Sequence, residues 1–158
     1  MINNFSYFAS IVLSCQHLLS LFFLCYNKHM TESPLVLIVD DEQNFRDIIS
    51  AVLGASGFRI ATAANGEEAL ARVEESKPDL ILLDMKMPVM DGATMLTRLK
   101  EKEGLKDIKV LFLSSFGDAR EGAHNADQHF AKEMGAIDYI NKTEIDTQLI
   151  PKIKALFG

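Results

Sequence analysis

The chain has 158 residues, which suits one ordinary domain and is short for two. It is 48% hydrophobic and 24% charged, as globular proteins are, which excludes a disordered or collagen-like chain. Residues 30–158 carry 15 basic and 22 acidic residues, a net charge of −7, which disfavours direct nucleic-acid binding. Both cysteines, Cys15 and Cys25, precede residue 30, so the rest of the chain has no disulfide and no cysteine-ligated zinc.

Residues 1–29 form a hydrophobic N-terminal extension that differs from the rest of the chain. Phe5 to Tyr26 is a run of 22 residues without a charge, 16 of them apolar. A helix of about 20 apolar residues spans a bilayer, and Lys28 after the run would then keep the body in the cytoplasm. Met30 opens a stretch typical of the start of a domain, so we favour a mis-assigned start over a membrane anchor. A signal peptide is the weakest of the three readings, because no basic region precedes the run.

Five predicted strands alternate with five predicted helices along residues 30–158. Short apolar runs bounded by polar or turn residues indicate strands that are covered on both faces. These runs are Leu35–Val39, Phe58–Ala61, Leu80–Leu83, Val110–Leu113 and Ala136–Ile140.

Each predicted helix carries an apolar stripe at helical spacing. Pro151 is expected in the first turn of the last helix, where its missing amide hydrogen is not needed. The stripes are, in chain order, Phe45, Ile48, Ile49, Val52 and Leu53 up to Gly54; Ala69, Leu70 and Val73 within Gly66–Ser76; Met95, Leu96 and Leu99; a stretch within Asn125–Met134; and Leu149, Ile153 and Leu156.

The alternation predicts an α/β fold, a (βα)5 arrangement with a doubly wound, five-stranded parallel sheet. In such sheets ligands bind beyond the carboxyl ends of the strands, where the strand order reverses. Five polar residues follow predicted strands and are therefore expected at one edge of the sheet: Asp40, Asp41, Asp84, Ser114 and Lys142.

These residue types point to phosphoryl chemistry with a divalent cation. Carboxylates packed together stay ionised only if a cation compensates them, and Mg²⁺ prefers carboxylates, waters and phosphate oxygens. A carboxylate can itself be the nucleophile and form an aspartyl-phosphate, for which Asp84 on the central strand is best placed. Helix N-capping is the alternative role for Asp40 and Asp41, but it leaves Asp84 and Lys142 unexplained.

Four sequence blocks resemble the receiver domain of two-component response regulators. They are LVLIVDDE, DLILLDMKMPVMDG, VLFLSS and GAIDYINK, in the order found in that family, and the resemblance covers Pro34 to Phe157. The spacing of 30 residues from Asp84 to Ser114 is also typical of the family. The resemblance implies a flavodoxin-like sheet with strand order 2-1-3-4-5. Gly158 directly follows the last predicted helix, so we expect a stand-alone, single-domain regulator over residues 30–158.

The resemblance implies a magnesium site around a phosphoacceptor. Asp84 corresponds to the phosphoacceptor, Asp41 to the direct Mg²⁺ ligand and Asp40 to its water-mediated partner. The backbone carbonyl of Lys86, two residues past the acceptor, corresponds to the group that completes the metal shell. Mg²⁺ is therefore the expected cofactor.

The resemblance also implies a conformational switch. Ser114 corresponds to the hydroxyl that follows the phosphoryl group, and Lys142 to the lysine that pairs with it. Tyr139 corresponds to the family's rotameric aromatic, although a half-buried strand tyrosine with its hydroxyl in water explains it equally well.

Two features bear on the phosphoryl group's lifetime and on the loops. Lys86 and Phe116 lie two residues beyond the acceptor and the switch hydroxyl, positions that tune hydrolysis in the family. Because Phe116 offers no hydrogen bond and excludes volume, we expect a long-lived phosphoryl group. Thr143 stands where the family usually has proline, and the segment between Ser114 and Lys142 is longer than usual. Its histidines and acids fit a solvated loop better than a metal site.

The expected function is that of a phosphoacceptor switch, not of an enzyme with an external substrate. A histidine kinase or a histidine phosphotransfer protein would donate the phosphoryl group, and a downstream protein target or a phosphorelay step would respond. The expected location is the cytoplasm, with membrane contact only through residues 1–29. Two alternatives stay open: a receiver-like binding module that is not phosphorylated, and an aspartate-nucleophile phosphohydrolase. The latter requires an acid two residues after the nucleophile, where this chain has Lys86.

Overall fold

The computed structural model describes residues 33–115 and 129–158. Its five strands pair in parallel in the order β2-β1-β3-β4-β5, which confirms the predicted flavodoxin-like sheet. The strands are β1 (Leu35–Val39), β2 (Arg59–Ala63), β3 (Leu80–Asp84), β4 (Lys109–Ser114) and β5 (Asp138–Asn141).

Helices follow the strands and cover the sheet on both faces. A short 3₁₀ turn, Lys142–Glu144, joins β5 to the last helix. The helices are α1 (Gln43–Ala55), α2 (Gly66–Glu75), α3 (Gly92–Glu101), α4 (described over residues 129–133) and α5 (Ile145–Phe157).

The central strands separate two apolar cores. Leu80 and Leu82 of β3 pack with α1 and α5, whereas Ile81 and Leu83 pack with α2, α3 and Ala131 of α4. This alternation follows from the period of two in a strand, and it explains why β3 reads as a continuous apolar run. The packing on both faces of the sheet therefore fixes the carboxyl ends of β1 and β3, which lie at one edge of the sheet.

Helix α1 buries only part of the apolar stripe predicted for it. Ile49 and Leu53 are buried as expected, but Ile48 and Val52 are 56% and 41% exposed. Apolar residues at i, i+1, i+4 and i+5 fit two adjacent helix faces, and the sheet covers only one of them. The buried face instead includes Arg46, which is 8% exposed.

Three predicted boundaries need correction. The first helix continues past Gly54 to Ala55, and Gly57 rather than Gly54 takes the left-handed conformation, with φ +89°. The predicted strand Ala136–Ile140 is displaced, because the Ala136 amide donates to the Ala131 carbonyl of α4 and leaves pairing to Asp138–Asn141. The strand predicted at Phe58–Ala61 is likewise found at Arg59–Ala63.

Pro151 was expected in the first turn of the last helix, and that prediction is wrong. It lies inside α5, which begins at Ile145. The proline has no amide hydrogen for the carbonyl of Thr147, but both residues are exposed, so water can hydrogen-bond that carbonyl. Buried Leu149 and Ile153 hold the helix on the sheet on either side of the proline.

The extension at residues 1–29 lies outside the described residues, and so does Phe116. In the described ranges, 33–115 and 129–158, no helix has both the length and the apolar character to cross a membrane. The domain boundary at residue 30 and the origin of the extension remain predictions.

Candidate functional site

The turn after β1 holds two of the predicted acidic residues. Asp40 is fully buried, and its amide donates to the Ala63 carbonyl at 3.2 Å. Its Oδ1 accepts a hydrogen bond from the Glu42 amide at 2.9 Å, whereas Asp41 is exposed. Glu42 is the N-cap of α1 and makes no side-chain capping bond. Helix capping is therefore wrong as an explanation of Asp40 and Asp41.

Asp84 ends the central strand and faces this turn. Asp84 is only 3% exposed. One carboxylate oxygen from each of Asp40, Asp41 and Asp84 lies within 4.8 Å of the other two. Burial raises the pKa of Asp84, an effect that the Lys142 ammonium opposes. The three carboxylates are thus brought together as the strand-end pattern predicts.

Lys142, in the turn after β5, provides the positive charge of the cluster. Its Nζ lies 3.1 Å from Asp84 Oδ2 and 2.6 Å from Asp40 Oδ2, the latter contact being off the line of a hydrogen bond. Burial opposes the charge, but Asp40 and Asp84 outweigh it and raise the pKa of Lys142. The ammonium is therefore charged at neutral pH. It also lies 4.6 Å from the centre of the Phe45 ring, within cation–π range.

The loop that presents Lys142 is closed by a side chain rather than by a proline. Asn141 Oδ1 accepts hydrogen bonds from the amide of Thr143 at 3.0 Å and from its hydroxyl at 2.9 Å. The peptide bonds of the described residues are all trans. The asparagine cap thus shapes the loop where the family usually has proline.

Ser114 and Tyr139 lie on the two neighbouring strands β4 and β5. Ser114 ends β4, is 5% exposed and pairs in register with Asn141. Tyr139 is 7% exposed and packs in the same core as Phe112, its register partner. Tyr139 is therefore more buried than the half-buried strand tyrosine of the alternative interpretation.

The loop after Asp84 approaches the acceptor closely. A Cβ on Gly92 would lie 2.2 Å from the Asp84 carbonyl oxygen, so only glycine fits there. The Lys86 amide lies 3.5 Å from Asp84 Oδ1, and the Lys86 residue is exposed. Asp91 caps α3 by accepting from the Thr94 amide at 2.7 Å.

The sequence profile of the response regulator receiver domain matches residues 36–154. The chain belongs to this family. Among curated relatives, the transcriptional regulatory protein PrrA of Mycobacterium bovis is 39% identical over 124 residues, covering 78% of this chain and 50% of PrrA. The phosphate regulon transcriptional regulatory protein PhoB of Pseudomonas aeruginosa is 35% identical over 121 residues, 77% and 50% of the two chains. This receiver chain thus spans about half the length of the curated relatives it matches.

Solved structures agree with the receiver assignment. The response regulator TrrA of Thermotoga maritima, in complex with Mg²⁺-BeF, is 31% identical with a TM-score of 0.65, and the match covers 78% of this chain and 98% of TrrA. The chemotaxis protein CheY4 of Vibrio cholerae is 27% identical with a TM-score of 0.68, again over 78% and 98% of the two chains. The predicted resemblance to receiver domains is confirmed.

The donor set of this receiver fits a magnesium ion. Three carboxylates provide hard oxygen ligands, which Mg²⁺ prefers, and Asp41 is open to solvent so that the ion can keep waters. Buried Asp40 Oδ2 has no hydrogen-bond donor aligned on it. The Lys142 ammonium compensates the cluster only in part, because the cluster holds three carboxylates and the ammonium contacts two of them.

Two residues near the carboxylate cluster were not assigned to the site from the sequence. Phe45 was assigned only to the core, yet its ring lies beneath Lys142. Arg46 was not considered, although its Nη1 donates to the Asp40 carbonyl at 2.5 Å. The signal available was its position, five residues after Asp41 and in phase with buried Ile49 and Leu53.

Proposed function

We propose that this receiver domain accepts a phosphoryl group on Asp84, in a Mg²⁺-dependent reaction, from a histidine kinase or a histidine phosphotransfer protein. The observation that carries the proposal is the charged cluster: the Asp84 carboxylate is buried, 3.1 Å from Lys142 Nζ and beside Asp40 and Asp41. A structural ion pair would need one carboxylate. The three clustered carboxylates exceed the single charge of Lys142 and leave negative charge for a cation to neutralise.

The transfer step uses the nucleophilic carboxylate of Asp84. One of its oxygens forms the bond to phosphorus while the bond from phosphorus to the donor's imidazole nitrogen breaks, and the electron pair leaves with the imidazole. Asp40, Asp41, Asp84 and the carbonyl of Lys86 would hold the Mg²⁺, which supplies charge neutralisation on the phosphoryl oxygens when bound. Lys142 contributes a second positive charge through its contact with Asp84. Asp84 must be ionised to attack, and in the metal-free protein burial raises its pKa, which disfavours the ionised form in acid.

A changed surface is the proposed output of the modification. In the unmodified protein Lys142 pairs with Asp40 and Asp84, and a phosphoryl group on Asp84 would offer it new, more strongly charged oxygens. We propose Ser114, at the end of β4, as the hydroxyl that follows the same group, and Tyr139 as the aromatic whose rearrangement carries the change to the surface. A downstream protein or a phosphorelay step would read that change.

The donor protein must contact the domain around Asp84. Helix α1 starts directly beyond the acidic turn and exposes Ile48 and Val52, which lie at i and i+4 and form a small apolar patch. The net charge of −7 on residues 30–158 favours a protein partner over nucleic acid. Histidine donors of this kind act in the cytoplasm, so the proposal places the domain there.

A long phosphoryl lifetime is the second part of the proposal. Lys86 is exposed in the loop after Asp84, and Phe116 follows the switch hydroxyl by two residues in the sequence. Decay of the phosphorylated form, with Mg²⁺ held constant, should be slower for the wild type than for Phe116→Glu, whose carboxylate can orient a water. Equal decay of the two proteins would exclude this role of Phe116.

Phosphorylation by acetyl phosphate tests the main proposal. We expect one added phosphoryl group by intact mass in the presence of Mg²⁺ and none after chelation of the metal. Continuous release of phosphate would indicate the phosphohydrolase instead, and an unmodified protein would indicate a binding module that is not phosphorylated. Asp41→Ala should require more Mg²⁺ for the same extent of labelling. Lys142→Ala should be labelled but should not bind its partner in a phosphate-dependent way.

A further inference from the structure

Arg46 is a buried cation beside the acidic turn, residues 40–42, and the phosphoacceptor mechanism above leaves it without a role. It lies on α1, is 8% exposed, and its Nη1 donates to the Asp40 main-chain oxygen at 2.5 Å. Its Nη2 donates to Gln43 Oε1. Among the residues that the structure describes, no carboxylate forms an ion pair with this guanidinium. Its closest partners are thus neutral oxygens, one of which belongs to the turn itself.

Three of the four polar groups of Asp40 are hydrogen-bonded to neighbours, and the fourth, Oδ2, has only an ion-pair contact. The amide bonds to the Ala63 carbonyl, the carbonyl accepts from Arg46, Oδ1 accepts from the Glu42 amide and Oδ2 faces Lys142. Of these, the bond from Arg46 is the one that ties the peptide between Asp40 and Asp41 to α1. The orientation of that peptide sets the position of the Asp41 backbone, from which its side chain extends.

Asp41 depends on this peptide more than Asp40 does. It is exposed, and within residues 33–115 and 129–158 its carboxylate accepts no hydrogen bond from the protein. Its place within 4.8 Å of Asp40 and Asp84 therefore follows from the backbone of the turn. A group that fixes this backbone also fixes a proposed metal ligand.

We propose that Arg46 is a positioning residue, which holds the acidic turn in the geometry that binds a divalent cation. The proposal rests on the Mg²⁺ site of the proposed function. The direction in which Mg²⁺ affinity changes on removal of Arg46 distinguishes this role from a purely electrostatic one. As a positive charge near the site, Arg46 repels Mg²⁺, so a purely electrostatic role predicts tighter binding when the charge is removed. A positioning role predicts weaker binding, because the ligands lose their arrangement.

Calorimetric titration with MgCl₂ alone distinguishes these outcomes. Arg46→Met keeps an unbranched apolar side chain and removes the charge and both hydrogen bonds, and we expect about tenfold weaker Mg²⁺ binding. Arg46→Lys keeps the charge and one donor nitrogen, so its Mg²⁺ affinity should lie between that of Arg46→Met and that of the wild type. Arg72→Met is the control. Arg72 is an arginine on α2 whose side chain is 49% exposed and pairs with Glu68 at 3.2 Å, so its loss should leave Mg²⁺ binding unchanged.

A second readout reports the turn without any metal. Hydrogen exchange of the Glu42 amide, which bonds to Asp40 Oδ1, should be faster in Arg46→Met than in the wild type, with the exchange of β3 amides unchanged. If Arg46→Met does not fold, Arg46→Lys supplies both measurements. Tighter or unchanged Mg²⁺ binding in the folded variants would overturn the proposal, and so would a wild type that binds no Mg²⁺. A wild type that binds Mg²⁺ but is not labelled by acetyl phosphate would refute the proposed function only.

Discussion

The apolar residues of β3 and the aspartate that ends the strand are almost equally buried, and burial acts on them in opposite directions. Leu80, Ile81, Leu82 and Leu83 are 0% exposed and Asp84 is 3% exposed. Each buried apolar side chain contributes about 1.5 to 3 kcal/mol to folding. Burial of Asp84 instead raises its pKa and so disfavours the ionised form that attacks phosphorus. The strand provides the rigidity, and its last residue provides a reactive group at a cost in stability.

Lys142 makes this arrangement tolerable. Its ammonium contacts Asp40 and Asp84, and the two carboxylates in turn raise the pKa of the lysine. The ion pairs of Lys142 contribute to the stability of the folded state. This contribution is fully present below the pKa of an ordinary lysine and is lost as pH rises through the raised pKa of Lys142. The site is therefore held together by charge, whereas the strand beneath it is held by packing.

Removing the charge of Asp84 is the largest test of this contrast. Asp84→Asn should abolish labelling by acetyl phosphate, because an amide is no nucleophile. Without Mg²⁺ it should also raise the free energy of unfolding at neutral pH. The raised pKa of Asp84 means that the wild type loses stability as pH rises above the ordinary aspartate value of 3.8, and the variant does not. Urea unfolding at pH 4 and pH 7 measures this, and a variant less stable than the wild type at pH 7 would contradict it.

Removing packing from the strand should have the opposite sign. Leu82→Ala leaves a cavity beneath α1 and α5 and should lower the free energy of unfolding by about 2 to 5 kcal/mol. Ile48→Ala, on the exposed face of α1, is the matched control and should change it by less than about 0.5 kcal/mol. Equal losses for the two variants in urea unfolding would mean that Ile48 is buried in solution.

A pair of glycines sharpens the boundary between the two regions. Gly92→Ala places a Cβ against the Asp84 carbonyl and should cost about 1 to 3 kcal/mol and slow labelling by acetyl phosphate. Gly54→Ala, in α1 with no atom within 4 Å of the new Cβ, should stabilise the domain by about 0.5 to 1 kcal/mol. Thermal unfolding and labelling rates measure both, and a neutral Gly92→Ala would show that the loop after Asp84 is free to move.

The smallest expected effect concerns the same loop. Val89 has a φ of +67° and is 75% exposed, so a β-branched residue occupies the left-handed region without the benefit of burial. Val89→Asn should stabilise the domain by about 1 kcal/mol, because asparagine tolerates this conformation. Chemical unfolding would show it, and a loss of stability would place Val89 in an ordinary conformation.

The sheet and its acidic edge could be predicted from the sequence because two signals coincide there. The strand Leu35–Val39 is an apolar run followed by Asp40, and the strand Leu80–Asp84 is an apolar run that ends in Asp84. In each case the run indicates the strand and the acid marks its carboxyl end. The parallel topology then brings Asp40, Asp41 and Asp84 together without any knowledge of side-chain packing.

The face of α1 could not be predicted in the same way. The helical spacing of apolar residues does not show which of two adjacent apolar faces packs on the sheet. It also predicts that every charged residue lies in solvent. Arg46 is nevertheless buried, because the Asp40 carbonyl and Gln43 accept its hydrogen bonds. Pro151 was misplaced for a related reason, since two buried neighbours outweigh one missing backbone hydrogen bond.

Chemical mapping of the modified residue tests the central claim most directly. After labelling with acetyl phosphate and Mg²⁺, borohydride reduces an aspartyl-phosphate to homoserine, and peptide mass spectrometry then locates the converted residue. We predict homoserine at position 84 in the wild type and at no position in Asp84→Asn. Conversion at another carboxylate, or a labelled Asp84→Asn protein, would contradict the assignment of Asp84 as the phosphoacceptor.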